Sequence, residues 1–233
     1  PFTPIIEGDR IYGLGSNDDG ASLVTLLQVF YKICQSKQNY NTIFVASAEE
    51  EVSGKNGIES LIPHLPPVTC AIIGEPTSMQ PAVAEKGLMV LDCVAKGVSG
   101  HAARNEGDNA IYNAISDIEW FRNNKLPKSS ALFGDVKMTV TQVNAGTQHN
   151  VIPDRCDFVI DIRPTEQYTN EDILKELQDI CKSELRPRNL ANRSSATVED
   201  SPLQKAAEAL DIETFSSPTT SDWMRVSCDA IKM

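Results

Sequence analysis

The sequence predicts an α/β protein in which a mostly parallel sheet domain is interrupted by a smaller α+β domain of ferredoxin-like order. Three observations predict it. Two short, β-branched apolar runs, Thr42–Ala48 and Thr69–Gly74, flank a helical stretch at Gly57–Ile62, and strand-helix-strand implies a parallel pair. Beyond Glu85 the order becomes strand, helix, strand, strand, helix. From Ser201 the chain returns to a helix and then a Ser/Thr-rich loop. The expected domains are residues 1–85, an insertion at 86–199, and a return segment at 200–233.

In order, a short extended segment runs through Tyr12, and Gly13–Gly20 is a glycine-rich turn. An amphipathic helix follows over Ala21–Ser36, its apolar stripe set by Leu23, Leu26, Leu27, Phe30 and Ile33. In the insertion, Leu88–Lys96, Val136–Val143 and Phe158–Arg163 read as strands, and Asn109–Asn123 and Asn170–Glu184 as helices. A last strand is expected near Ala196–Glu199.

Composition narrows the function classes. With 41% hydrophobic and 23% charged residues, the 233-residue chain can bury proper cores, and no apolar run approaches the ~18 residues that cross a bilayer. A formal charge of -11 repels phosphate backbones, so neither nucleic acid nor membrane is expected as a partner. Six cysteines without C-x-x-C spacing read as free thiols in a reducing cytoplasm.

Acidic runs carry the candidate chemistry. Glu49-Glu50-Glu51 and Glu75 each follow an apolar run, where buried strands would end and where ligands of open α/β sheets collect. Anions packed together are costly unless a cation neutralises them, which points to a metal site. Glu50 and Glu51, as neighbours in the chain, face opposite ways and suit different tasks, one binding metal and one handling a proton. In Gly13-Leu14-Gly15-Ser16-Asn17-Asp18 the carboxylate replaces the third glycine of a dinucleotide loop and would repel a pyrophosphate. Asp18 and Asp19 either cap the following helix or bridge metals.

Of three histidines, His101 sits among small residues in Gly97-Val98-Ser99-Gly100-His101-Ala102-Ala103 and is the functional candidate; His64 and His149 read as surface groups. Arg163 ends Asp161-Ile162-Arg163 and can fork onto a carboxylate, an ion pair with one of the chain's own acids being the simpler reading.

Taken in order, Pro1-Phe2-Thr3-Pro4, Tyr12 through Asp18, Ala48-Glu49-Glu50-Glu51-Val52, Gly74-Glu75-Pro76-Thr77, Glu85-Lys86-Gly87, Lys96 through Ala102, Asn150-Val151-Ile152-Pro153-Asp154 and Asp161-Ile162-Arg163 resemble the M20 family of metallopeptidases and amidohydrolases. The resemblance implies a zinc-hydrolase-type catalytic domain carrying a lid and dimerisation insert, and a homodimer formed through that insert. It implies two zinc or cobalt ions, bridged by Asp18 and completed by Glu51 on one side and Glu75 on the other, with Glu50 as general base. His101 would cross to the partner's active site to stabilise the oxyanion, and Asn150, Arg163 and Thr220 would hold the substrate carboxylate. Ser217 through Asp222 most resembles the acetylornithine deacetylase branch, so an N-acyl amino acid is the expected substrate, and a dipeptide the alternative. Glu49 stands where the family more often has aspartate. The family also takes zinc-binding histidines from an H-x-D motif before the region matching Pro1 and from a position after Met233; without them the chain is expected to be an inactive fragment.

Overall fold

A computed structural model describes residues 2–233, in two compact units. Pro1, the first residue of the Pro1–Pro4 match, lies outside the described residues. Residues 2–84, Ala196–Ser217 and Ser221–Met233 form the first unit, and Glu85–Ser195 with Pro218–Thr220 the second.

The first unit opens with a hairpin, β1 (Ile5–Glu7) and β2 (Arg10–Tyr12), paired Ile5 to Tyr12 and turned at Gly8, whose φ of 62° favours glycine. Helix α1 spans Gly20–Cys34, as its apolar spacing predicts, but no residue of it is buried; Leu23 and Leu27 are 41% and 47% exposed. A single helical turn, α2 (Ile58–Leu61), precedes β3 (Cys70–Ile73), and β4 (Ala82–Glu85) leads out of the unit.

The expected strand at Thr42–Ala48 does not form: the segment is irregular and mostly exposed. β-propensity describes residues that fit a half-buried pleated surface, and without a ladder partner it has nothing to act on. The parallel pairing with β3 is made instead by a segment from far along the chain, β15.

The second unit is built from β5 (Met89–Lys96), β6 (Gly100–His101), α3 (Ala110–Asn123), β7 (Ser129–Ser130), β8 (Gly134–Asp135), β9 (Lys137–Ala145), β10 (Val151–Ile152), β11 (Arg155–Arg163), α4 (Asn170–Ile180) and β12 (Glu184–Pro187). The four long strands pair in the order β12-β5-β11-β9, every pair antiparallel, with β11 running from Arg155 opposite Lys96 to Ile162 opposite Met89. With α3 after β5 and α4 after β11, this is the split-βαβ order that the sequence predicts. Period-two alternation drives it: Met89, Leu91, Cys93 and Ala95 of β5 and Cys156, Phe158, Ile160 and Ile162 of β11 are all buried in one cluster, closed by Ala110, Ala114 and Phe121 of α3 and Ile173 and Leu177 of α4. Both helices are capped at their starts. Asn109 Oδ1 accepts from Ile111 N at 2.9 Å, and Thr169 and Asp172 form a reciprocal capping box.

The fourth strand of this sheet is β12, not the expected one at Ala196–Glu199. Its Pro187 is tolerated because the strand lies at a sheet edge. Residues 195–196 instead begin the return to the first unit as β13 (Ser195–Ala196), followed by α5 (Pro202–Ala209), β14 (Phe215–Ser217) and β15 (Asp229–Lys232). There the sheet order is β13-β4-β15-β3, with β14 also on β4. β15 runs parallel to β3 and antiparallel to β4. Ser201 joins the return helix to this sheet: its Oγ accepts from Leu203 and Gln204 N at the start of α5 and donates to Asp229 Oδ2 at 2.6 Å.

Candidate metal and substrate site

In the first unit, glycines decide where the carboxylates go. Gly15 (φ 74°) turns the chain ahead of α1, and its carbonyl accepts from Gly20 N at 2.9 Å. A side chain at 20 would meet that carbonyl at 2.5 Å. Asp19 occupies the N-cap position of α1 but makes no side-chain cap bond. Its carboxylate turns inward, where Oδ1 is buried without a hydrogen-bond partner, and burial raises its pKa against a bond from Ser22.

Gly74 brings the next acid to the same place. A Cβ there would sit 2.9 Å from Leu26 Cδ1, 3.1 Å from Ser22 Cβ and 3.4 Å from Asp19 Oδ2, so the strand end packs directly on the first turns of α1. Glu75 follows at once, its backbone held by a bond from its N–H to Met233 O at 2.9 Å. Burial first, and then the charges of Glu50, Asp18 and Asp19, push its pKa up to about 8 against the pull of Lys232. The charges of Asp18, Asp19 and Glu50 thus all reach Glu75.

Not every acid of the Glu49–Glu51 run belongs to this group. Glu49 is structural: in a left-handed conformation (φ 57°), its carboxylate accepts from Asn56 N at 3.1 Å and Asn56 Nδ2 at 2.9 Å, closing the turn. Glu50 is half-buried, whereas Glu51 is exposed and is not among the charges acting on Glu75. Among the described residues, no three His, Cys, Asp or Glu side chains are disposed to hold an ion. The orphaned oxygen of Asp19 and the like-charged crowd around Glu75 nonetheless fit a hard cation with oxygen ligands. Asp19, which the sequence leaves open between a cap and a metal ligand, turns out not to cap α1; the doubled Asp18-Asp19 is its sequence signal.

The remaining candidates lie in the second unit. His101 pairs with Val151 across the β6–β10 ladder; its N–H donates to Glu106 Oε1 at 3.1 Å, and its Nδ1 accepts from Ala103 N at 3.2 Å. Asn150 is beside it, its carbonyl accepting from Ala102 N at 3.0 Å. Arg163 is elsewhere: β11 carries it eight residues beyond Arg155, about 26 Å at ~3.3 Å per residue, while Asn150 and His101 lie beyond the Arg155 end. The simpler reading of Arg163 is the observed one, for it forks onto Asp161. Thr220 Oγ1 donates to Lys86 O at 2.8 Å.

Residues 83–189 match the family model of the M20 peptidase dimerisation domain. That stretch is an M20 peptidase dimerisation domain. The chain's relatives include the acetylornithine deacetylase of Pectobacterium carotovorum, 31% identical over 80% of this chain and 50% of the relative. The succinyl-diaminopimelate desuccinylase of Wolbachia pipientis is 24% identical over 85% and 53%. Among solved structures, a tripeptidase of Staphylococcus aureus superposes with a TM-score of 0.78 at 20% identity, covering 99% of this chain and 67% of that one, which shows the fold. A dinuclear metal-binding M20 peptidase of Bacillus subtilis gives a TM-score of 0.56 at 16% identity, over 79% of this chain and 53% of that one. The chain spans about half the length of the curated relatives it matches. No helix among the described residues is long and apolar enough to cross a membrane.

Proposed function

We propose that this chain carries part of an M20-type metal-dependent amidohydrolase that removes the acyl group from an N-acyl amino acid, acetylornithine being the first substrate to try. The observation that carries the reading is the convergence of the charges of Asp18, Asp19 and Glu50 on buried Glu75, raised to about 8. The 31% identity to an acetylornithine deacetylase supports the choice of substrate.

In this reading Asp18, Glu51 and Glu75 hold two divalent ions, zinc or cobalt, and Asp19 offers its unpartnered oxygen to the same cluster. When bound, the ions supply Lewis acidity at the scissile carbonyl. Glu50, half-buried beside Glu75, takes the proton of the attacking water and returns it to the leaving amine. His101 donates to the oxyanion: with Nδ1 spent on Ala103 N–H, the neutral ring carries its proton on Nε2. Asn150, Arg163 and Thr220 hold the substrate carboxylate.

One copy cannot offer both Asn150 and Arg163 to one amino acid, because most of β11 separates them. A second copy, assembled through the second unit, supplies His101 and Asn150. The match to a dimerisation domain supports this, as does the outer edge of β9, unpaired among the described residues. Six free thiols suit a cytoplasmic setting.

The test offers N-acetylornithine, N-succinyl-diaminopimelate and dipeptides to the full-length protein loaded with zinc or cobalt. Fastest amine release from acetylornithine is expected, together with a loss of about 10³-fold in Glu50→Gln. Faster release from dipeptides would move the substrate to the peptidase branch. No release at all from the metal-loaded protein would leave a non-catalytic member of the family.

A further inference from the structure

Lys86, the centre of Glu85-Lys86-Gly87, has no part in the chemistry above. Its side chain lines a cleft of ≈ 390 Å³ in the second unit, between the end of α3 and the start of β9. Arg122, Lys125 and Lys137 line the same cleft, and Asp135 is the one acid among its lining residues. Buried Phe121 and Val136 contribute its apolar part.

The charges of this cleft do not balance. Asp135 is committed to Lys125 through a short ion pair, and its backbone carbonyl accepts from Lys86 Nζ at 3.4 Å. That bond engages one of three ammonium donors. The half-buried amine also stands 5.8 Å from the centre of the Phe133 ring, and burial first, then the nearby charge of Lys137, lowers its pKa against the pull of Asp135. Neither Arg122 nor Lys137 has an ion-pair partner among the described residues. Four cations therefore face one carboxylate, a formal surplus of three, in a chain whose net charge is -11. The C-terminal end of α3 answers part of this charge at Arg122, and the remaining cations, repelling one another in a concave, partly apolar setting, are arranged for a counter-ion.

We infer that the cleft lined by Lys86, Arg122, Lys125 and Lys137 binds a small multivalent oxyanion, at a site separate from the carboxylate cluster. The planar fork of Arg122 and the point charges of the lysines suit phosphate or clustered carboxylates alike. This site stands on the second unit alone and does not depend on the proposed hydrolase reading.

Isothermal titration of the full chain with inorganic phosphate and, separately, with citrate tests it, both at ionic strength matched with sodium chloride. Saturable binding of one molecule is expected for at least one probe, and which of the two binds tells a phosphoryl ligand from a polycarboxylate. A double variant, Arg122→Gln with Lys137→Gln, should weaken that binding at least tenfold while leaving the circular dichroism spectrum unchanged. Lys205→Gln, an exposed cation of the first unit, should leave it unaltered. Failure of both probes to bind, or equal weakening by Lys205→Gln, would overturn the site and leave only a general effect of net charge.

Discussion

Arg163 is clasped by Asp161, two residues before it on β11: Nε donates to Oδ1 at 2.7 Å and Nη2 to Oδ2 at 3.0 Å. Residues two apart on a strand share a face, so the tripeptide supplies its own bidentate pair. Both side chains are 29% exposed, and the clasp spends two edges of the guanidinium while leaving Nη1 to point elsewhere. It fixes a direction more than it adds stability.

Asp161→Asn should therefore act on substrate use. An amide cannot accept twice from the fork, so the guanidinium loses its fixed aim, and kcat/KM should fall about tenfold, mainly through KM. Partly exposed pairs contribute about 0–1 kcal/mol, so Tm should hardly move. An unchanged KM alongside a large drop in Tm would assign the clasp to folding instead.

Glu75 predicts a proton count. With its pKa raised to about 8, it is mostly protonated at pH 7, and a cation arriving at the cluster must displace that proton. Zinc titrations in buffers of different ionisation enthalpy should show close to one additional proton released at pH 7 and little at pH 9. Release independent of pH would remove Glu75 from the ion's surroundings.

Gly97 predicts a folding defect that spares the first unit. A Cβ at 97 would lie 2.2 Å from Asp108 O and 2.7 Å from Ala110 N, both backbone atoms that cannot swing aside. Gly97→Ala should destabilise the second unit by about 2–4 kcal/mol. Hydrogen exchange should show the loss in β5 and α3, with β3 and β15 protected as before. Equal loss in both units would mean that they unfold as one.

The second unit was legible because its pattern is local. Met89-Leu91-Cys93-Ala95 and Phe158-Ile160-Ile162 alternate cleanly, and Asn109 and Thr169 announce their helices. β12 was missed because Glu184-Leu185-Arg186-Pro187 offers one inward apolar residue and a proline, a weak signal sufficient only at an edge. In the first unit, Thr42–Ala48 was misread since its composition says strand and only the absent ladder says otherwise. The acids at 18, 50 and 75 stood out as runs, but the inward turn of Asp19 depends on Gly74 packing against α1, which no local pattern encodes. The separation of Asn150 from Arg163 likewise follows from the length of one strand, not from either motif.

The ladder between β3 and β15 gives the carboxylate cluster a timetable. Ile73 O receives Met233 N at 2.7 Å and Met233 O receives Glu75 N at 2.9 Å, so the acid at 75 is positioned by a residue made long after it. A ribosome that has passed residue 200 has already built every acid of the cluster, yet none of the strand that seats Glu75. Until residues 229–233 dock, the nascent chain carries these acids without the backbone bond that seats Glu75.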